Sequence, residues 1–192
     1  SQMFYSRTIG IRDGSLVPII GGARLTGELG NWDVGLLSLQ TEGGRNSDVA
    51  FPTENFTVLR LRKKMFNDRS FLGLMATQQL RKDYVNLAFG IDGMVDIGNE
   101  NFLIGSVSTT LEGENYEQAI YRLTDNSRIA LLFDKRKQDG WFYKASYEFS
   151  GEDFNPSMAF LLREKHHNFY GQLNHGKFNN TPENHTFQYQ RW

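Results

Sequence analysis

Few side chains in this chain of 192 residues stand where chemistry would need them. A zinc site needs three or four converging His, Cys, Asp or Glu side chains. His166 and His167 are adjacent, so on a strand they turn to opposite faces, and His175 and His185 have no partner at metal spacing. Cysteine is absent, which removes a thiolate metal site, a Cys nucleophile and a disulfide framework. The acidic pairs Glu112/Glu114 and Glu152/Asp153 have the chemistry of a glycosidase dyad, whose carboxyls stand about 5–10 Å apart. Both pairs fall among turn residues, where solvated charge is the simpler reading. Ser and His both occur, yet no nucleophile elbow marks a serine as activated. Gly21-Gly22 and Gly43-Gly44 are isolated pairs that read as strand kinks and loop glycine, not as a phosphate loop. The expectation is no catalytic set, no cofactor and no metal.

Two constellations are better defined. Arg60 and Arg62 lie two residues apart and so share one face of a strand. They are placed either to pair with carboxylates such as Asp92 or Glu148 or to meet an anionic solute. In the second, Gly151 and Pro156 bracket Glu152, Asp153 and Asn155, the composition of a rigid turn between strands. Turn geometry outweighs ligand binding there.

The elements that must position these residues follow from composition and rhythm. With 21 basic and 22 acidic residues the net charge is −1, so nothing favours nucleic acid, and no Lys/Arg cluster marks a membrane-surface patch. Aromatics reach 14%, with 15 Phe, 8 Tyr and 19 Gly, the vocabulary of strands and turns. No apolar run approaches the 18 or so residues of a transmembrane helix, and no apolar pattern of period 3.6 is sustained. From Val17 onward, apolar and polar residues alternate in runs of roughly 9–12 broken by turn clusters, predicting about 12 strands in one domain spanning 1–192. Expected strands cover 19–29, 32–41, 56–65, 71–80, 84–97, 102–111, 116–123, 128–134, 141–149, 158–163, 168–178 and 186–192. The segment 42–54 reads as a loop.

The clearest alternation lies at 141–149. Trp141, Tyr143, Ala145, Tyr147 and Phe149 fall on one face, with Lys144, Ser146 and Glu148 on the other. A tilted strand crosses a bilayer in about 9–11 residues. The apolar face therefore meets either lipid, in an outer-membrane barrel, or a second sheet, in a soluble barrel or sandwich. Uniform strand length favours lipid, because soluble strands cluster near 5–6 residues. Aromatics near strand ends (Tyr84, Phe102, Tyr116, Trp141, Phe149, Phe178 and Trp192) are placed as an interfacial girdle would be. Mid-strand polar residues (Arg60, Arg62, Asn86, Asp92, Lys144 and Glu148) are expected to line a lumen.

The segments at 4–10, 17–27, 35–41, 55–62 and 151–156, the last reading Gly151-Glu152-Asp153-Phe154-Asn155-Pro156, carry a resemblance in order and spacing. Together they resemble the uncharacterised domain (domain of unknown function 5916) that follows a family-9-like carbohydrate-binding module in Bacteroidetes surface proteins. The resemblance implies an outer-membrane β-barrel of a Gram-negative bacterium, of which these residues form the whole or a large piece. It also implies a connection to glycans, and it brings no catalytic residues.

The resulting expectation is an all-β, antiparallel up-and-down barrel of outer-membrane type, or a large piece of one. Its role would be that of a non-enzymatic surface platform, pore or receptor, partnered by outer-membrane lipid and by glycans or other envelope proteins. A soluble β-barrel or sandwich binding module and a glycan- or lipid-active hydrolase are the alternatives.

Overall fold

The computed structural model describes residues 3–6, 9–12, 15–46, 49–114, 124–137, 139–159, 165–178 and 189–191. Nine long strands dominate: β3 (Ile19–Leu29), β4 (Trp32–Thr41), β7 (Glu54–Lys64), β8 (Phe71–Arg81), β9 (Tyr84–Asp96), β10 (Asn101–Gly113), β11 (Ser127–Lys135), β12 (Gly140–Ser150) and β13 (His166–Phe178). With the three-residue β14 (Tyr189–Arg191) they form one antiparallel meander in the order β14-β13-β12-β11-β10-β9-β8-β7-β4-β3. Two small ribbons, β1 (Ile11–Arg12) with β2 (Ser15–Leu16) and β5 (Gly44–Asn46) with β6 (Val49–Phe51), complete the described strands. Among the described residues the expected barrel of about 12 strands is an open sheet that does not close on itself: β3 and β14 are its two edges.

Neighbouring strands are consecutive because the connections are short, and each turn fixes the register of its hairpin. Gly30 occupies the first position of the two-residue turn joining β3 to β4, with φ +58°, where a Cβ would be strained. Connections at 30–31, 65–70, 97–100 and 136–139 share one end, called here the turn end. The opposite loop end carries 42–53, 114–126 and 151–165, together with the tight turn at 82–83. A register shift between Ile19 and Gly21 kinks the start of β3. A Cβ on Gly22 would lie 2.3 Å from the Ser38 carbonyl oxygen, so the strands approach there only because that residue is glycine.

Several expected elements change. The strand expected at 116–123 lies outside the described residues. That expected at 158–163 does not form where it is described, since Met158 and Ala159 sit in a turn. Met158 is apolar for another reason: it is 1% exposed, packed among Met3, Ile9, Phe56, Val58, Met75 and Ala88. The segment at 42–54 contains the β5–β6 ribbon and leads into β7 two residues earlier than expected.

Alternation along each strand, combined with the register, sorts the side chains onto two faces. One face carries Arg60, Met75, Gly90, Ser108, Arg128 and Ser150, which stand in one cross-strand row. The other carries the row Val34, Leu61, Leu74, Ile91, Val107, Ile129 and Phe149, apolar on seven successive strands. The hydrophobic cluster lies on the first face near the loop end, against residues 3–6 and 151–159.

Candidate functional site

On the first face the charges are mostly paired. Arg60 grips Asp92 with both terminal guanidinium nitrogens, and its Nη2 donates to Asp92 Oδ2 at 2.8 Å. Gly73, the β8 register partner of Asp92, lies beneath the Arg60 guanidinium, and a Cβ there would come within 2.6 Å of Arg60 Nη2. Arg62 does not join this pair. It meets Asp33 of β4 at 2.6 Å, with Lys64 at 3.9 Å from the same carboxylate. Glu148 is engaged by Arg128 at 2.9 Å and by His166 Nε2 at 3.2 Å. Lys144 has no ion-pair partner among the described residues, and it lines a trough of about 610 Å³ together with Asp92, Ser106, Arg128, Glu148 and Asn168. A second trough of about 580 Å³ is bounded by Phe4, Ser6, Arg24, Gly35, Val58 and Arg60.

Asn86 departs from the expectation of a lumen-lining side chain. It lies on the same face as Asp92, yet it is 1% exposed beneath residues 151–159. Its Nδ2 donates to the Asn155 carbonyl oxygen at 2.8 Å, and its Oδ1 accepts from the Ser157 N–H at 3.2 Å. Thr110, fully buried, does the same one strand over: its hydroxyl donates to the Asp153 carbonyl at 3.4 Å and accepts from the Asn155 N–H at 3.2 Å. Glu112 accepts from Asn155 Nδ2 at 3.0 Å. Gly151 fits against the preceding connection so closely that a Cβ would lie 2.2 Å from the Asp125 carbonyl oxygen. The Gly151–Pro156 motif, read from sequence as a turn between strands, is thus a strap folded back over the face. Phe154 and Pro156 are its buried anchors.

The N-terminal residues complete the strap. Tyr5 N–H donates to the Met158 carbonyl oxygen at 2.7 Å. The Met3 side chain occupies the space left by Gly90, where a Cβ would meet Met3 Cε at 2.6 Å. Replacing Asn86 by alanine should leave the Asn155 carbonyl and the Ser157 N–H without their partner. The expected cost is about 2 kcal/mol, read as a lower denaturation midpoint with new protease cleavage between 151 and 159. Cleavage unchanged from the parent chain would show that Asn86 does not hold the strap.

The second face is exposed and apolar. Fourteen large apolar side chains from β3 through β13 stand 40–77% exposed on it, among them Leu25, Leu74, Ile91, Val107, Leu131 and Leu173. Trp141, Tyr143, Tyr147 and Phe149 all lie on this face, and Lys144 and Glu148 on the other. The band has edges. At the turn end Lys63 lies 5.2 Å from the Trp32 ring, Lys135 lies 5.5 Å from Tyr143, and Trp141 packs on His175. At the loop end Ser38, Gln40, Asn55, Thr57 and Gln78 share the face on β4, β7 and β8. On β12 and β13, Tyr147 and Phe149 cluster there with His167 and Phe169. Tyr84 and Phe102, expected in an outer girdle, instead lie on the first face by parity. Phe102 is 3% exposed, with the guanidinium groups of Arg136 and Arg69 at 4.5 and 5.4 Å from its ring. The side chains of Tyr116, Phe178 and Trp192 lie outside the described residues.

Hydrolytic chemistry finds little footing. Ser150 and His166 are cross-strand partners on one face, and Glu148 meets the imidazole. Ser150, however, is 1% exposed, and neither its hydroxyl nor His166 Nδ1 has a hydrogen-bond partner among the described residues. Without a serine–histidine bond or substrate access, this pair is not arranged as an activated nucleophile. Among the described residues no group of three or more His, Cys, Asp or Glu side chains could hold a metal ion. His166 and His167 turn to opposite faces, bonded to Glu148 and Tyr147 respectively. Glu152 meets Lys165 rather than a second catalytic carboxylate.

Sequence reasoning missed Arg128, Asp33 and His166 as partners in the charged face. Each has the right parity within its strand, but which charges meet depends on pairing register, which parity alone does not supply. No family model, no curated protein and no solved structure matches the chain, so the functional reading rests on its own geometry.

Proposed function

We propose that the chain forms part of the wall of an outer-membrane β-barrel. Its apolar face would lie in lipid, and its ion-paired face would turn toward a lumen narrowed at the loop end by residues 3–6 and 151–159. The supporting observation is the uncovered apolar face. Soluble monomers rarely expose apolar patches beyond a few hundred Å², whereas this one runs across nine strands. On β9, where Val85 is buried, its uncovered part extends from Leu87 to Val95, about 26 Å at roughly 3.3 Å per residue. At a strand tilt near 40° this corresponds to a height of about 20 Å, approaching the roughly 25 Å of an outer-membrane apolar band. Lysines and tryptophans at the turn end match the amphipathic rim of such a band.

The role that fits is non-enzymatic: a surface platform, pore or receptor, or a component of a larger envelope complex. The charged face supports this, because most of its charges are satisfied by one another and so stiffen a wall rather than await a reacting group. A glycan connection enters only through the family resemblance. The test is direct. The purified chain should require detergent and show heat-modifiable migration on a gel. A monomer that stays dispersed in plain buffer would overturn the proposal and favour a soluble binding module.

A further inference from the structure

Arg24 of β3 lies on the charged face by register, beside Leu37 and, one strand further, Val58. Unlike Arg60, Arg62 and Arg128 it has no ion-pair partner among the described residues. It borders the trough of about 580 Å³, a volume in the range of small-molecule sites. The trough owes its floor to one residue. Thr26, Gly35 and Arg60 are successive partners in one cross-strand row, and Gly35 has no side chain. A gap two strand spacings wide, about 10 Å, is left between Thr26 on β3 and Arg60 on β7. A Cβ at Gly35 would rest 3.7 Å from the Arg60 Cβ, an ordinary contact, so the glycine relieves no clash and simply keeps the floor low. Phe4 and Ser6 border the same gap, and between them the Tyr5 N–H is bonded to the Met158 carbonyl oxygen.

We propose that this trough binds a monovalent organic carboxylate with an apolar body. The lining divides into two kinds of surface. Arg24, Arg60, Ser6 and Thr26 offer N–H and O–H donors, while Phe4, Leu37, Val58 and Met75 are apolar. Among the described residues no carboxylate lines it. The charge of Arg60 is cancelled by Asp92, although a guanidinium has five N–H donors and that pair does not use them all. Arg24 therefore leaves the trough with a single uncompensated positive charge, which matches a monoanion. Its planar fork is suited to a carboxylate. The apolar side would be left bare by an inorganic anion, so the ligand carries a hydrophobic body to cover it. The site lies on the charged face and does not depend on what the opposite face meets.

The probe is 2-naphthoate, a water-soluble monocarboxylate with a flat apolar body, titrated calorimetrically against the full chain at pH 7. Its uncharged analogue 2-naphthylmethanol is titrated alongside. Saturable one-to-one binding of the carboxylate is expected, with the alcohol at least tenfold weaker. Arg24→Gln should weaken 2-naphthoate at least tenfold, and Arg24→Lys, which keeps the charge but not the fork, should lose less. Lys82→Gln removes the same charge from an exposed turn residue outside the trough and should bind as the parent does. Amide resonances of Ser6, Thr26 and Gly35 should shift on saturation. The proposal is overturned by absent binding, by an alcohol that binds as tightly as the carboxylate, or by R24Q binding as the parent does. Equal weakening in R24Q and K82Q would overturn it too, since net charge would then explain the effect. The chain's need for detergent decides the lipid reading by itself. The titration, run in whichever medium keeps the chain dispersed and corrected for probe taken up by micelles alone, decides the site.

Discussion

Replacing Ile91 with arginine should destabilise the protein in bilayers by about 2–4 kcal/mol, the cost of a guanidinium near the midplane of a barrel's lipid face. Ile91 is 56% exposed and sits mid-strand on β9, flanked by Leu74 and Val107 in an apolar row. On a soluble protein the same substitution at so exposed a site would fall within about 0.5 kcal/mol of neutral. The two environments thus predict results well separated from each other. The measurement is reversible denaturant unfolding in lipid vesicles, with Ile91→Ala as the control for lost side-chain area. An arginine variant as stable as the alanine variant would remove lipid from the account.

Arg60→Met should cost about 2–3 kcal/mol. Breaking a buried pair by removing one partner typically costs about 3–5 kcal/mol, and the exposure of the two side chains, 29% and 13%, reduces that figure through solvent screening. The penalty comes from leaving the Asp92 carboxylate on the face without its bidentate partner. Gly73 leaves open the space through which the two groups meet. The double variant Arg60→Met/Asp92→Leu should recover most of the loss, since it abandons both charges together. Unfolding midpoints of the parent, both single variants and the double variant complete the cycle. Single losses that simply add in the double variant would show that the pair contributes no coupling.

Much of the architecture was legible in the chain. The strands at 19–29 and 32–41 have the bounds expected from alternation, and 84–97 falls within a residue of β9. Period-two patterning is a local property, so it survives without knowledge of partners. For the same reason the faces of Trp141, Tyr143, Tyr147 and Phe149 against Lys144 and Glu148 could be sorted from sequence. Met158 shows the limit. Its neighbourhood mimics an alternating strand, but the residue belongs to the connection that folds back over the sheet and is buried there against Met3, Phe56, Met75 and Ala88. Phe102 shows it too, since a strand-end aromatic has the same local signature whether it faces lipid or lies inward under Arg136 and Arg69.

The amino-acid sequence by itself determined an all-β chain, the strand rhythm, the two-faced character of each strand and the absence of cysteine chemistry. These follow from residue type and spacing alone. Only the tertiary structure decided that Arg60 meets Asp92 while Arg62 meets Asp33, and that Glu148 holds Arg128 and His166. It also decided that Asn86 anchors a strap rather than lining open space, and that among the described residues β3 stands at an edge of the sheet. Each of these depends on register and on contacts between residues up to 71 positions apart. Alternation states which face a side chain takes, and strand pairing alone states what it meets there.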